Sequence, residues 1–244
     1  MTAAGIHTVD LPVPASALAI GAHPDDVEFG CGGTLAKWAA SGCVVHLLVL
    51  TDGSKGTWDP HADVAALVQA RQGEQREAAR RLGATGEVAF LGEVDGELEE
   101  SRPLCGRVAE VIRRLQPQVV LGHDPWKRYR LHPDHRAAGF LTCDGIVAAR
   151  DPHFFPEHGL APHRPAALLL WEADEPDHLE DVTSSVDRKL GALEAHASQF
   201  ESTMKATSAE QLEAFRRRIR TRLGEHGRRA GVAYAELFKA IRSL

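Results

Sequence analysis

The chain has 244 residues, 43% of them hydrophobic and 25% charged, with a formal net charge of −6 at pH 7. That balance describes an ordinary globular domain with a sizeable core, excludes a disordered chain, and argues against a phosphate-backbone binder, so no nucleic-acid role is expected. Apolar runs such as Cys43 to Leu50 are too short to cross a bilayer, no signal-peptide pattern opens the sequence, and Cys31, Cys43, Cys105 and Cys143 form no CxxC pair; the expectation is a cytoplasmic protein, off the membrane, with buried free thiols.

In chain order, short Val-, Leu- and Ala-rich runs alternate with longer stretches of helical period. This alternation predicts βαβ units around a mostly parallel sheet flanked by helices, a Rossmann-like α/β fold in a single domain over 1–244. Strands are expected near Ala17–Ala22, Val44–Thr51, Glu87–Leu91, Val119–Gly122 and Ala166–Trp171, and helices near Gly33–Ala40, Val64–Leu82, Leu104–Leu115 and Asp134–Ala149. Gly83 suits the C-cap of the second helix. Pro and Gly crowd "DPHFFPEHGLAPHRP", Asp151 to Pro165, a long loop of the kind that makes lids or interface arms. From about residue 184 a helical C-terminal segment is expected, with helices near Ser185–Ser198, Ala209–Leu223 and Gly231–Ile241. The basic stretch Phe215 to Arg229 reads as a solvated helix face.

Polar segments begin where predicted strands end: "AHPDD" from Ala22, "TDGSKGTWD" from Thr51, "GEVDGEL" from Gly92 and "GHDPWKRYRLHPDH" from Gly122. Ligands of open α/β sheets bind outside the carboxyl ends of the strands, so these loops converge on one site. A turn would explain Pro24 and the aspartates beside it, but not a second histidine-rich motif at another strand end. "HPDD" supplies one imidazole and two carboxylates, and "HPDH", His132 to His135, supplies two imidazoles at i and i+3. With Pro133 and Asp134 suited to a first helical turn, both rings can face one side. These are ligand types of zinc and its first-row neighbours.

Together with "RQGEQREAARRLG" (Arg71 to Gly83), the Asp95–Gly96 pair and "KLGALEAHASQF" (Lys189 to Phe200), the two motifs resemble the LmbE-like, or PIG-L, family of zinc-dependent N-acetylglucosamine deacetylases. The match runs in consistent order over nearly the whole chain. The resemblance implies that His23, Asp26 and His135 bind the metal, that Asp25 is the general base, and that His132 stabilises or protonates the reacting group. The implied ion is Zn2+, with Fe2+, Mn2+ and Ni2+ as alternatives. Arg71 falls at a substrate-contacting position, and Asp95 and Arg130, on loops bordering the site, are further substrate candidates. His196 and Gln199 match a late motif and are candidates to approach the pocket.

The departures bear on the substrate. Many family members carry an acidic residue where this chain has Ser54 and Lys55, and some have a tyrosine at the position of Arg130. Lys55, Lys127, Arg128 and Arg130, with Arg71, give the loops a cationic character, which points to a small amino-sugar substrate with an acidic substituent. The same cations would equally offset Asp52, Asp59, Asp95 and Asp124. A homo-oligomer is expected only by analogy with oligomeric family members. His46, in an apolar strand, reads as a hydrogen-bonded core residue, and His61, His153, His158, His163 and His178 as exposed loop residues. The alternatives are an amidase acting on a larger thiol or glycopeptide conjugate, and a metal-free Rossmann-like nucleotide-binding or regulatory module.

Overall fold

All five predicted strands fall side by side in the computed structural model, which describes residues 6–244. The strands are β1 (Thr8–Val9), β2 (Ser16–Gly21), β3 (Val44–Thr51), β4 (Val88–Glu93), β5 (Val119–His123), β6 (Ala167–Trp171), β7 (His178–Asp181) and β8 (Ala235–Ile241). The helices are α1 (Asp26–Ala40), α2 (Val64–Leu82), α3 (Arg102–Leu115), α4 (Pro133–Arg150), α5 (Val186–Leu193) and α6 (Ala209–Gly227). One eight-stranded sheet runs β1-β7-β8-β6-β5-β2-β3-β4. Every neighbouring pair is parallel except those that β8 makes with β6 and β7.

The central strands are mostly apolar, as suits a sheet with helices on both faces. Along β2, Ala17 and Ala19 enter one core, with α1 and α2, while Leu18 and Ile20 enter the other, with α3 and α4. The expected Gly83 cap is in place, with φ 85° and its N–H bonded back to Arg80. Among the described residues, no helix is long and apolar enough to cross a membrane.

The largest departure from the sequence expectation is at 231–241, where a strand replaces the predicted helix. Gly231, at φ 74°, breaks any helix there, and the helix formers of "AELFKAI" yield to pairing with β6 and β7 and to full burial of Ala235 and Phe238. Propensity is a weak prior that tertiary context overrides. The C-terminal segment is therefore two helices and a strand. Glu236 on this strand accepts hydrogen bonds from the Gly33 and Thr34 N–H groups at 2.9 and 2.8 Å and from the Lys189 ammonium at 2.5 Å.

Smaller corrections follow from burial. α1 starts at Asp26, seven residues before the expected Gly33, and kinks at Cys31. α5 stops at Leu193, with short irregular turns over 197–204. His178 is a fully buried residue of β7, bonded to Thr8 and Glu180. His163 is half-buried and bonded to the Pro117 carbonyl, and His158 is half-buried too. His46 is half-buried and accepts from the Glu87 N–H. Cys31 and Cys43 are buried, whereas Cys105 and Cys143 are partly exposed.

The 151–165 loop cannot serve as a lid. It follows α4, whose other end carries His132, and an 18-residue helix separates the two ends by about 27 Å. The loop is instead fixed by Arg113, only 3% exposed, which donates to the carbonyls of Ala148, Ala149, Asp151, Phe154 and Phe155. A guanidinium there also complements the negative end of α4. Arg113→Ala strands several buried carbonyls and is expected to lower stability by about 3 kcal/mol. For a chain of this size that is a drop in Tm of roughly 6–12 °C, to be read by calorimetry; a drop below 2 °C would mean that the loop holds itself.

Candidate active site

β2 and β5 lie side by side, and the chain leaves them towards opposite edges of the sheet, β3 and β4 on one side and β6 on the other. This is the switch point at which open α/β sheets form their ligand crevice. His23 to Asp26 follow β2, His123 ends β5, and His132 is the N-cap of α4. His23, Asp25, Asp26, Arg71, Asp95, His132 and His135 all line one pocket of about 520 Å³.

Asp25 occupies the N-cap of α1 but does not cap it: its backbone is left-handed, φ 104° and ψ −25°, and its carboxylate makes no cap bond. Such a conformation in a non-glycine residue costs about 1–3 kcal/mol and needs support from its surroundings. Gln75 gives it. Its Oε1 accepts the Asp25 N–H at 3.0 Å, its Nε2 donates to Glu28 at 2.8 Å, and the other Glu28 oxygen meets His196 Nε2 at 3.3 Å. Gln75, Glu28 and His196 are all fully buried. Gln75→Met is expected to lower kcat about tenfold, the effect of roughly 1.4 kcal/mol, with KM and metal content unchanged. Steady-state kinetics on the purified variant checks this; an unchanged kcat would show that Asp25 is held without Gln75.

The donor set at the centre fits a divalent cation. One ligand atom from each of His23, Asp26 and His135 lies within 4.8 Å of the others. Asp26 Oδ2 is 3.3 Å from His23 Nδ1, and Asp26 Oδ1 is 3.3 Å from His135 Nε2. The far nitrogen of His23, Nε2, faces Asp134 and Asp95, each at 3.1 Å. A carboxylate behind the distal N–H of a ligating histidine is the arrangement that fixes its tautomer and raises its basicity. Asp134 is itself fully buried, bonded to the Gly96 N–H at 2.6 Å and more weakly to that of Leu98.

His123 sits equally close to Asp26, 3.2 Å from Nε2 to Oδ2, yet its hydrogen bonds exclude it from the ligand set. Its Nδ1 receives the Trp171 Nε1–H at 3.0 Å and faces the Arg130 guanidinium at 3.1 Å. Both are donors, so in the neutral ring Nδ1 is the acceptor and the hydrogen sits on Nε2, which lies 3.2 Å from Asp26 Oδ2 without making a hydrogen bond there. His132 stacks on His135, with ring centroids 4.7 Å apart, and meets His23 edge-on at 4.6 Å.

The adjacent carboxylates are driven apart electrostatically. Burial pushes Asp25 up to about 6, against the pull of Arg71. Burial acts the same way on Asp26, but His135 and His123 overcome it and hold that carboxyl well below its ordinary range. One carboxyl is thus biased strongly towards its ionised form and the other lies near neutrality, a separation suited to paired acids with different roles.

The model of the PIG-L family, GlcNAc-PI de-N-acetylase, matches residues 18–145. The chain belongs to the PIG-L family. It is 35% identical over 222 residues to the diacetylchitobiose deacetylase of Thermococcus kodakarensis, covering 90% of this chain and 80% of that one. The N,N'-diacetylchitobiose deacetylase structure from Pyrococcus horikoshii superposes with a TM-score of 0.85 at 32% identity, over 94% of this chain and 84% of that one. The 4-oxalmesaconate hydratase of Pseudomonas putida is 30% identical over 198 residues, 75% of this chain and 74% of that one.

In this PIG-L protein the expected substrate residues are placed unevenly. Arg71, 3% exposed, donates to the Gly53 carbonyl at 3.0 Å and the Pro24 carbonyl at 2.5 Å, and lies 3.4 Å from Asp25 Oδ2. Gly53 and Gly56 let the loop pass over it, since a Cβ on either would sit within 2.6 Å of its guanidinium. Asp95 reaches the pocket with one oxygen on His23 and the other accepting the Lys55 N–H. Arg130 does not line the pocket; it lies behind His123 and pairs with Glu172 at 3.0 Å. Lys55 is paired with Glu97 and Lys127 with Asp174. Gln199 lines the pocket, whereas His196 stays behind Glu28.

His123, Asp134 and Gln75 are site residues that the motif reading passes over. All three stand inside quoted motifs; for His123 and Asp134 the signal was position, since each falls beside a strand or helix end that the site uses.

Proposed function

We propose that this PIG-L protein is a metal-dependent N-deacetylase of an N-acetylated amino sugar or a conjugate of one. The observation that carries the reading is the cluster of His23, Asp26 and His135 facing the Asp25 carboxylate in one pocket. The family and the deacetylase names of two relatives support it. In the proposed site these three side chains hold the ion, Zn2+ by preference, with Fe2+, Mn2+ and Ni2+ compatible with the same donors. A bound divalent ion supplies Lewis acidity towards water and an amide carbonyl.

The chain's own groups do the rest. Asp25 Oδ accepts the proton of the attacking water, with Arg71 fixing the carboxylate from behind. His132, on the exposed side of the cluster, is placed to donate a proton to the departing nitrogen. The amide C–N bond breaks, water adds across it, and acetate and a free amine leave. Asp134 and Asp95 keep His23 aimed.

The substrate is proposed to be a small amino sugar. Most of the loop cations bind protein groups, so the catalytic pocket itself fits a neutral N-acetylated ring. The test is acetate release from a panel of N-acetyl sugars before and after chelation, with 4-oxalmesaconate hydration as a parallel assay. Release that disappears on chelation and returns with added Zn2+ is the expected result. Absence of both activities together with absence of bound metal would favour the metal-free module, and hydration without acetate release would place the chain with its hydratase relative.

A further inference from the structure

A second cavity, of about 250 Å³, adjoins the catalytic pocket, and Phe29, Glu172 and Arg222 line both. Independent small-molecule sites usually measure about 300–1,000 Å³, so the smaller space is an annex of the larger. Its remaining charges are nearly all paired. Lys189, fully buried, donates to Glu236 at 2.5 Å and to the Phe29 carbonyl at 2.8 Å. Lys127 donates to the Glu172 carbonyl, and the Glu172 carboxylate meets Arg130.

Arg222 is different. Along α6, Arg216 is held by Glu194, Arg220 by Asp187, and Arg218 by the Met204 carbonyl; Arg217 and Arg222 have no carboxylate within 4.0 Å among the described residues, and of these two only Arg222 lines the annex. One turn further along the helix, His226 presents a buried Nδ1 with no hydrogen-bond partner. The annex therefore offers one unpaired guanidinium beside the Phe29 ring, which packs edge-on against Phe215.

We infer that the annex is a subsite for the part of the substrate beyond the amino sugar, and that Arg222 selects there for an anionic group, a carboxylate or a phosphate. This inference rests on the deacetylase reading. The acidic substituent is thus recognised from α6 rather than from the loops after β3 and β5.

The test compares two N-acetyl-β-glucosaminides of matched size, p-carboxyphenyl and p-(hydroxymethyl)phenyl. The native enzyme is expected to favour the carboxylate by roughly three- to fivefold in kcat/KM, the usual worth of an exposed ion pair, and less at high salt. Arg222→Met should bring the ratio to one, Arg222→Lys should keep part of it, and Arg222→Glu should invert it. The same ratio is read as Kd by calorimetry, in the Asp25→Asn protein with and without Arg222→Met. A carboxylate preference in Kd that vanishes with Arg222 supports the subsite even in a chain that releases no acetate, which would sink only the deacetylase reading. Acetate release with equal constants for the two glycosides, or a ratio that survives Arg222→Met, overturns the subsite.

Discussion

His135→Ala is expected to purify with less than about a tenth of the metal of the native chain and no measurable acetate release. Catalytic zinc normally takes three protein ligands, and of the proposed set the variant keeps only His23 and Asp26. His123 is not a ready substitute. His123, whose ring stacks on His135 with centroids 4.4 Å apart, has its Nδ1 taken by Trp171 and Arg130 and its Nε2 protonated. The fold should survive, because the His135 side chain is 24% exposed and packs at the pocket wall rather than in a core cluster. Metal analysis after gel filtration, alongside a thermal melt, separates lost ligation from lost folding. Native metal content in a folded variant would show that the ligand set is wrong.

Asp25→Asn should fail in the opposite way, keeping its metal and losing turnover by about a hundredfold or more, the usual contribution of a general base. Asn preserves the shape of the side chain and leaves the backbone N–H bonded to Gln75, so the helix start should hold. What disappears is the proton acceptor, and with it the counter-charge 3.4 Å from Arg71. KM should change little if substrate meets other groups first. Near-native kcat would transfer the role to another carboxylate, with Asp95 the first to substitute because it also reaches the pocket.

The site was legible in the sequence wherever its chemistry is local. "HPDD" and "HPDH" each place their groups within one turn, and the sheet pattern supplies the strand ends that bring them together. What escaped depends on contacts distant in the chain. Gln75 meets Asp25 across 50 positions, and His196 meets Glu28 across 168; neither has a neighbour in sequence that betrays the pairing. Arg130 looked like a pocket residue because a loop sequence shows a charge but not its partner, whereas Lys55 does line the pocket while pairing with Glu97. β1 and β7 are too short, at 2 and 4 residues, to leave a period, and β8 is written in helix-forming residues. His178 misled for the same reason, as a lone histidine among loop-like residues that becomes the buried start of a strand.

The position of β8 sets an order on biosynthesis. Chains emerge from the ribosome N-terminus first, so β2 to β6 can assemble while 235–241 are still being made. Until that strand arrives, β6 and β7 have no bridge, Lys189 is an ammonium without its carboxylate, and the Gly33 and Thr34 amides of α1 lack their acceptor. The nascent chain thus exposes the apolar edge of β6, whose "ALLLW" run offers unpaired backbone groups of the kind that template aggregation. A chain stopped between Phe200 and Ala235 would keep all the quoted motifs yet leave the β6 and β7 edges that β8 covers unpaired.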